Sequence, residues 1–160
     1  MAAPYVTIVL PGAPKGKGRP RFTTIGGFAR AYTDKKTVTY ENALKAAGVA
    51  AMNGLQTLNE AIGISVVGYL PVPDSWSRAK RAAALAGDIM PTGKPDADNI
   101  GKMLDGLNYH PPAFKGDKEK RPIIWRDDAQ IVSLHIMKFY GADPRLVVQV
   151  FRWFAAQSHG

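Results

Sequence analysis

The chain contains no cysteine. That excludes disulfides, thiolate nucleophiles and cysteine-based zinc sites, and it is compatible with a reducing compartment. Long apolar runs are missing too: no stretch approaches the ~18 residues needed to cross a bilayer. The opening Met1-Ala2-Ala3-Pro4-Tyr5 lacks a basic segment followed by a long apolar one, so no signal peptide is expected, and the expected location is cytoplasmic. The histidines His110, His135 and His159 show no ligand spacing, which argues against a histidine zinc site, and no Ser-His-Asp arrangement is legible. Acid is scarce. Asp and Glu total 13 against 21 Lys and Arg, a net charge of +8 in 160 residues. Such a balance favours nucleic acid or another anionic surface as partner; the bland reading is a soluble basic protein with no polyanion partner.

The length suits one domain, and 46% apolar residues are enough to bury a core. Tyr5 to Leu10 reads as a first strand stopped by Pro11-Gly12. Residues 11–30 read as a basic loop in which Gly26-Gly27 marks a tight turn or hairpin. A helix is expected from Lys36 to Met52, capped by Thr33 or Asp34, with Tyr40, Ala43, Leu44, Ala47 and Ala51 on one face. Ile62 to Leu70 reads as a strand, Ser75 to Leu85 as a short basic helix capped by Ser75 or Asp74, and 87–95 as a linker. Asn99 to Leu107 reads as a helix with the stripe Ile100, Met103, Leu104 and Leu107. Residues 108–122 read as an exposed basic loop, Ile123 to Trp125 as a strand edge or turn. Gln130 to Tyr140 reads as a long strand with Val132, Leu134 and Ile136 on one face, and Leu146 to Phe154 as the last strand. This order predicts an α+β (mixed α/β) fold, helices packed on a mixed β-sheet, in a single compact domain.

The charge is unevenly placed. Residues 1–30 carry Lys15, Lys17, Arg19, Arg21 and Arg30 and no acid, whereas residues 96–128 carry seven acids against six bases. Clustered acid in a basic protein points to a divalent metal held where the surrounding surface attracts phosphate, and so to an enzyme that cuts nucleic acid. Magnesium takes oxygen ligands, usually one or two carboxylates plus water and substrate phosphate. In an extended segment Asp96 and Asp98 lie on one side, and Pro95 keeps the backbone before them extended. Asp127 and Asp128 sit in the turn that opens the 130–140 strand. Taken singly, Asp98 reads equally as a helix cap and Asp127-Asp128 as turn residues. Lys102, four residues after Asp98, either forms an ordinary surface ion pair or grips a phosphate as charge develops. Asp98, Lys102 and Asp105 form a stripe opposite the apolar one, while simple alternation puts Asp128 on the core side of its strand. The two halves meet only if the turn before Gln130 is irregular.

The segment Lys15-Gly-Lys-Gly-Arg-Pro-Arg-Phe lacks P-loop spacing and reads as a cationic arm for backbone phosphates, or as a solvated tail. Arg78, Lys80 and Arg81 offer a second basic patch. Trp76 and Phe22 are candidates for stacking on bases, though such aromatics more often belong to a core.

At these residues the chain resembles the RusA family of Holliday-junction resolvases, endodeoxyribonucleases of bacteria and prophages. The matching elements are Lys15 to Phe22, Ala31-Tyr32-Thr33, Pro73 to Lys80, Lys94 to Leu107 and Trp125 to Gln130; the pairing of Lys-Pro-Asp-x-Asp-Asn with a later Asp-Asp-Ala-Gln is quite specific. The resemblance implies a homodimer that makes paired, Mg²⁺-dependent nicks in four-way DNA junctions during recombination and repair, with Mn²⁺ as a substitute metal. It implies catalytic, metal-holding Asp96, Asp98 and Asp128, assistance from Asp127, and a catalytic Lys102. Two departures stand out. The segment 108–124 is longer and more basic than in compact members, and Gly101 stands where a bulkier residue is common. The competing readings are a nuclease with a broader branched-DNA or flap substrate, and a DNA-binding module without turnover whose acids are only caps and turns.

Overall fold

The computed structural model describes residues 3–18, 21–32 and 34–153. Strand β1 (Val6–Pro11) is followed by the hairpin strands β2 (Arg21–Ile25) and β3 (Phe28–Tyr32), helix α1 (Lys35–Met52) and strand β4 (Ile62–Leu70). Three helices come next: α2 (Arg78–Leu85), α3 (Ala97–Gly101) and α4 (Leu104–Leu107). A 3₁₀ turn (Asp128–Gln130) then leads into β5 (Ile131–Tyr140) and β6 (Arg145–Arg152). Four strands form one mixed sheet in the order β1-β6-β4-β5, with β4 parallel to β5 and the other neighbours antiparallel. The parallel β4–β5 pair requires a crossover, and the chain between them carries α2, α3, α4 and all the clustered acids. The expected α+β fold is what forms. Among the described residues no helix is long and apolar enough to cross a membrane.

The core lies between the sheet and the helices α1, α3 and α4. The sheet contributes Val6, Ile8, Ile62, Ile64, Val66, Leu146, Val148 and Val150. Helix α1 contributes Tyr40, Leu44 and Met52, four-residue steps that keep one face inward, with Gly48 between them. A Cβ at Gly48 would come within 2.7 Å of Leu107 Cδ1, so the glycine lets α1 and α4 close on each other. The α1 N-terminus is capped by Asp34, whose carboxylate accepts from the Lys36 N–H at 3.1 Å.

Several expectations need correction. The 11–30 segment is not all loop: its second half pairs as β2–β3 around Gly26 and Gly27, both at positive φ as a tight two-residue hairpin turn requires. The basic helix starts at Arg78, capped by Ser77 rather than Ser75 or Asp74, because Ser77 Oγ accepts from the Lys80 N–H. The single 99–107 helix is two short helices, and the first begins at Ala97. Its stripe is nonetheless buried, since Ile100, Met103, Leu104 and Leu107 all enter the core. On β5, Val132 and Leu134 are 58% and 46% exposed while Ile136 packs on the core. The cause is position: β5 is the edge strand, and α3 covers only part of it. A Cβ at Gly101 would come within 2.5 Å of Ile136 Cδ1, so this glycine lets α3 lie down on β5.

The loop from 108 is not exposed at its start. Asn108 is the one buried polar residue among the described side chains. Its Nδ2 donates to Trp125 O at 2.6 Å, and its Oδ1 accepts from Ile124 N at 2.8 Å and Trp125 N at 3.0 Å. Its own carbonyl accepts from Ile123 N at 2.6 Å. Replacing the amide leaves buried donors and an acceptor without partners, at about 1–3 kcal/mol each. The expected outcome is that Asn108→Ala destabilises the fold by about 3 kcal/mol or more in chemical denaturation; a loss below about 1 kcal/mol would contradict the assignment of Asn108 as a structural hub.

Candidate active site

The first acidic element begins at the cis Lys94-Pro95 bond. Asp96 occupies the N-cap of α3, and its carbonyl accepts from Ile100 N at 3.0 Å, but its carboxylate makes no capping bond. Asp98 lies in the first turn of the helix and pairs with Lys102 Nζ at 3.3 Å. With side chains 82% and 50% exposed, this is the ordinary surface pair, worth a few tenths of a kcal/mol. Lys102 Nζ also lies 3.4 Å from Asn99 Oδ1.

Two contacts seat this element. From β5, Lys138 Nζ donates to the carbonyls of Gly93 at 2.8 Å and Pro95 at 3.0 Å, holding the backbone on either side of Lys94 against the sheet edge. From the basic arm, Lys17 N donates to Asn99 O at 2.8 Å, while Lys17 Nζ pairs with Glu41 of α1 at 3.2 Å. Gly16 permits this approach: a Cβ there would come within 2.8 Å of Asn99 Cβ and 2.9 Å of Pro95 Cβ. The arm is therefore docked on the acid-bearing segment, and Lys17 serves as its fastening.

The second element is organised by Trp125 and Gln130. Trp125 is buried, and its Nε1 donates to Asp128 Oδ1 at 2.8 Å. Gln130 Oε1 accepts from Arg126 N at 2.8 Å and Asp127 N at 2.7 Å, while its Nε2 donates to Leu58 O and Glu60 O. Asp127 Oδ1 accepts from Ala129 N, completing a capping box. Asp127 thus acts as a cap, whereas Asp128 is exposed with one oxygen oriented by the indole. The irregular turn needed to free Asp128 from the core side of β5 is this 3₁₀ turn.

Asp128 faces a cleft of about 530 Å³ that it shares with Asp105, Tyr109, His110, Lys118 and Lys120. The Tyr109 hydroxyl is pushed above its ordinary pKa by burial first, then by the charge of Asp128, with Asp127 and Asp105 adding to it. Asp117 and Glu119 also line this cleft, and the Asp117 carboxylate accepts from Ala113 N at 3.0 Å, Arg121 Nη1 at 2.8 Å and Glu119 N at 3.0 Å. These bonds, the Ala113 N–H foremost, hold its pKa down at about 2.

The structure brings Asp128 beside Asp105, but it does not gather Asp96, Asp98 and Asp128 into one cage. Among the described residues no three acidic or histidine side chains lie close enough to hold a metal ion together. The donor chemistry still fits a hard divalent cation. Asp96, Asp98 and Asp128 present exposed carboxylates, and Mg²⁺ ordinarily takes only one or two protein carboxylates, leaving the rest of its shell to water and phosphate.

The basic residues divide by what they touch. Lys15, Lys36 and Lys94 line an open cleft of about 530 Å³ beside Pro95 and Asn99. Arg30 on β3 and Arg78 on α2 are exposed. Lys80 stacks its ammonium 4.0 Å over Trp76, and Arg81 Nη2 donates to Pro73 O at 3.2 Å. Arg21 belongs to β2; Arg19 and His159 lie outside the described residues. Trp76 is used internally, edge-on to Tyr140 at 5.3 Å, whereas Phe22 on the hairpin is 73% exposed. Sequence reasoning missed the roles of Asn108, Lys138 and Gly16, and had Gln130 only as the last residue of the Asp-Asp-Ala-Gln element. Each acts through backbone groups or close approach, for which composition and periodicity carry no signal.

The family described as Endodeoxyribonuclease RusA matches residues 11–151. The chain is 31% identical over 143 residues to a Bacillus subtilis (strain 168) protein described as "Uncharacterized protein YqaN", covering 87% of this chain and 90% of that one.

If Lys138 seats the acidic segment, Lys138→Met is expected to cost about 2 kcal/mol or more in stability, since it removes two hydrogen bonds from a charged donor. For the endonuclease activity that the family suggests, it is expected to lower turnover roughly tenfold or more if Asp96 and Asp98 take part. Lys138→Arg should restore most of the turnover, and an unchanged kcat in Lys138→Met would sink the idea. For the 110–121 loop the sign follows from a depressed pKa. The order that Asp117 supports is complete above the unfolded carboxylate value of about 4 and is lost as pH falls through about 2. A carbonyl-carbon NMR titration of Asp117 should therefore show a midpoint well below that of a free aspartate; a midpoint near 4 would contradict the network.

Proposed function

Because the chain belongs to the RusA endodeoxyribonuclease family, we propose that it is a Mg²⁺-dependent endodeoxyribonuclease that resolves four-way DNA junctions by paired nicks in recombination and repair. The observation that carries this reading is the placement of two exposed acidic elements, Asp96-Asp98 next to a basic cleft lined by Lys15, Lys36 and Lys94, and Asp128 in a cleft of mixed charge that also carries Lys118 and Lys120. The field of Lys15, Lys36 and Lys94 draws a polyanion toward the carboxylates.

In this reading Asp96, Asp98 and Asp128 hold Mg²⁺, or Mn²⁺ in its place. What the bound ion supplies is charge to activate water and to stabilise the leaving oxygen. Asp128 is oriented for its role by Trp125 Nε1. Lys102, tied to Asp98 only by a weak exposed pair, is able to turn toward a phosphate and steady its developing charge. Asp127 assists by fixing the turn that carries Asp128. Lys15, Arg19, Arg21, Arg30, Arg78, Lys80 and Arg81 contact backbone phosphates, with Lys17 fastening the arm. Paired nicks require two sites, hence a homodimer. The exposed Val132 and Leu134 on edge strand β5 offer an apolar strip for the second copy.

The test is cleavage of labelled four-way junctions, linear duplex and flaps by purified protein with Mg²⁺ or EDTA. Paired symmetric nicks in the junction are expected. They should disappear with EDTA and fall by about 10²-fold or more in Asp96→Asn, Asp98→Asn and Asp128→Asn, with junction binding kept. Lys102→Met should lower kcat by roughly 10²–10³-fold while shifting stability by less than about 0.5 kcal/mol. Equal cutting of flaps would favour the broader branched-DNA nuclease. Binding without nicks under any metal would favour the non-catalytic module.

A further inference from the structure

The segment between Asn108 and Ile123 is a built loop. At its neck Tyr109 pairs with Pro122, and His110 N donates to Arg121 O at 2.9 Å. Inside it, the Asp117 side chain is only 5% exposed and collects Ala113 N, Glu119 N and Arg121 Nη1. Arg121 Nη2 adds a 3.0 Å pair to Glu119 Oε2. Gly116, at φ 90°, makes the turn at the tip. This network spends the charge of Arg121 on Asp117 and Glu119 within the loop and keeps one negative charge over.

Its lysines are left over. Lys115, Lys118 and Lys120 are exposed, and among the described residues none of the three enters an ion pair. They differ in position. Lys118 and Lys120 line the cleft that Asp105 and Asp128 share, with Lys120 Nζ 5.3 Å over the Tyr109 ring, whereas Lys115 does not line it. The cleft thus mixes charges: Asp117 and Glu119 line it too but are both paired with Arg121, whereas Lys118 and Lys120 have no ion-pair partner among the described residues and lie in the same cleft as Asp128. The basic arm docks at the other end of the same helical segment, on Pro95 and Asn99.

We propose that the 110–121 loop is a second DNA grip, in which Lys118 and Lys120 hold backbone phosphates of a duplex arm that the docked 15–18 arm does not reach. This rests on the reading of the protein as a branched-DNA nuclease. A linear duplex lying along one grip leaves the other unused, while a four-way junction offers an arm to each. The loop therefore contributes preference for branched over linear DNA. Because the network fixes the loop before DNA arrives, little ordering cost is due on binding.

The experiment measures equilibrium binding of a labelled four-way junction and a linear duplex in EDTA, over roughly 50–200 mM salt. Parent, Lys118→Gln/Lys120→Gln and Lys115→Gln proteins are compared. For the double variant, junction affinity should fall about tenfold or more, with a salt slope shallower by about 2, one phosphate per lysine. Duplex affinity should change less than threefold or so, and Lys115→Gln should match the parent. Unchanged junction affinity and slope in the double variant would overturn the proposal. So would equal losses on duplex and junction, or an equal effect from Lys115→Gln, since either makes the loop a general cationic surface. Cleavage by the parent is scored separately with Mg²⁺. A parent that binds junctions by this grip but never nicks them defeats the nuclease reading and leaves the grip standing; a parent that nicks junctions with no contribution from Lys118 and Lys120 does the reverse.

Discussion

The buried amide of Asn108 is the constraint on which the site depends. An unpaired amide in a core is costly, and this one makes its three hydrogen bonds to the chain only when residues 123–125 lie alongside it. That requirement closes the whole 109–122 excursion and returns the chain beside the end of α4. It also brings Ile123, Ile124 and Trp125 into the core, where Leu58 N donates to Ile124 O at 2.8 Å. Once Trp125 is fixed, its indole N–H sets Asp128. Gln130 then locks the turn by bonding backbone groups on both sides of it. The line from a buried Asn to an exposed Asp is continuous and consists entirely of hydrogen bonds with satisfied partners.

The other acidic element is held differently. Asp96 and Asp98 ride on a five-residue helix that has too few turns to be stable alone. It exists because Ile100 is buried beneath it and because outside groups grip its entry: Lys138 from β5 and the arm at Gly16 and Lys17. One half of the site is therefore rigid from within, and the other is positioned by neighbours. Substitutions far from the carboxylates are for that reason able to misplace Asp96 and Asp98 while sparing Asp128.

What the sequence disclosed follows this division. Helix α1 and strand β4 were legible nearly to the residue because each is long and its apolar spacing has a single reading. The stripe Ile100, Met103, Leu104 and Leu107 correctly named buried residues, yet not the break at Lys102–Met103, because burial of a stripe does not require an unbroken helix. Alternation identified a face of β5 but not what covers it; coverage is decided by where α3 ends, which is a tertiary fact. The acidic motifs and the basic arm were visible as residue types. Their docking was not, since a glycine allowing close approach and a lysine bonding carbonyls leave no periodic trace.

The arm illustrates why charge alone misleads about role. Four cations between Lys15 and Arg21 suggest one uniform phosphate grip. In the structure Lys17 spends its ammonium on Glu41 and its backbone N–H on Asn99, so it holds the arm to the acid-bearing segment. Lys15 instead borders the open cleft with Lys36 and Lys94. An anchored base adds little to attraction at a distance, because its field is cancelled by its partner; a base beside a cleft keeps its field for the ligand. The same sorting applies in the 110–121 loop, where Arg121 is the fastening and Lys118 and Lys120 remain for an anion. In both places one cation is consumed in building the element and its neighbours gain a fixed position from that. In the proposed reading, phosphate contacts positioned in this way would act as geometry as well as charge, which is what discrimination between DNA shapes requires.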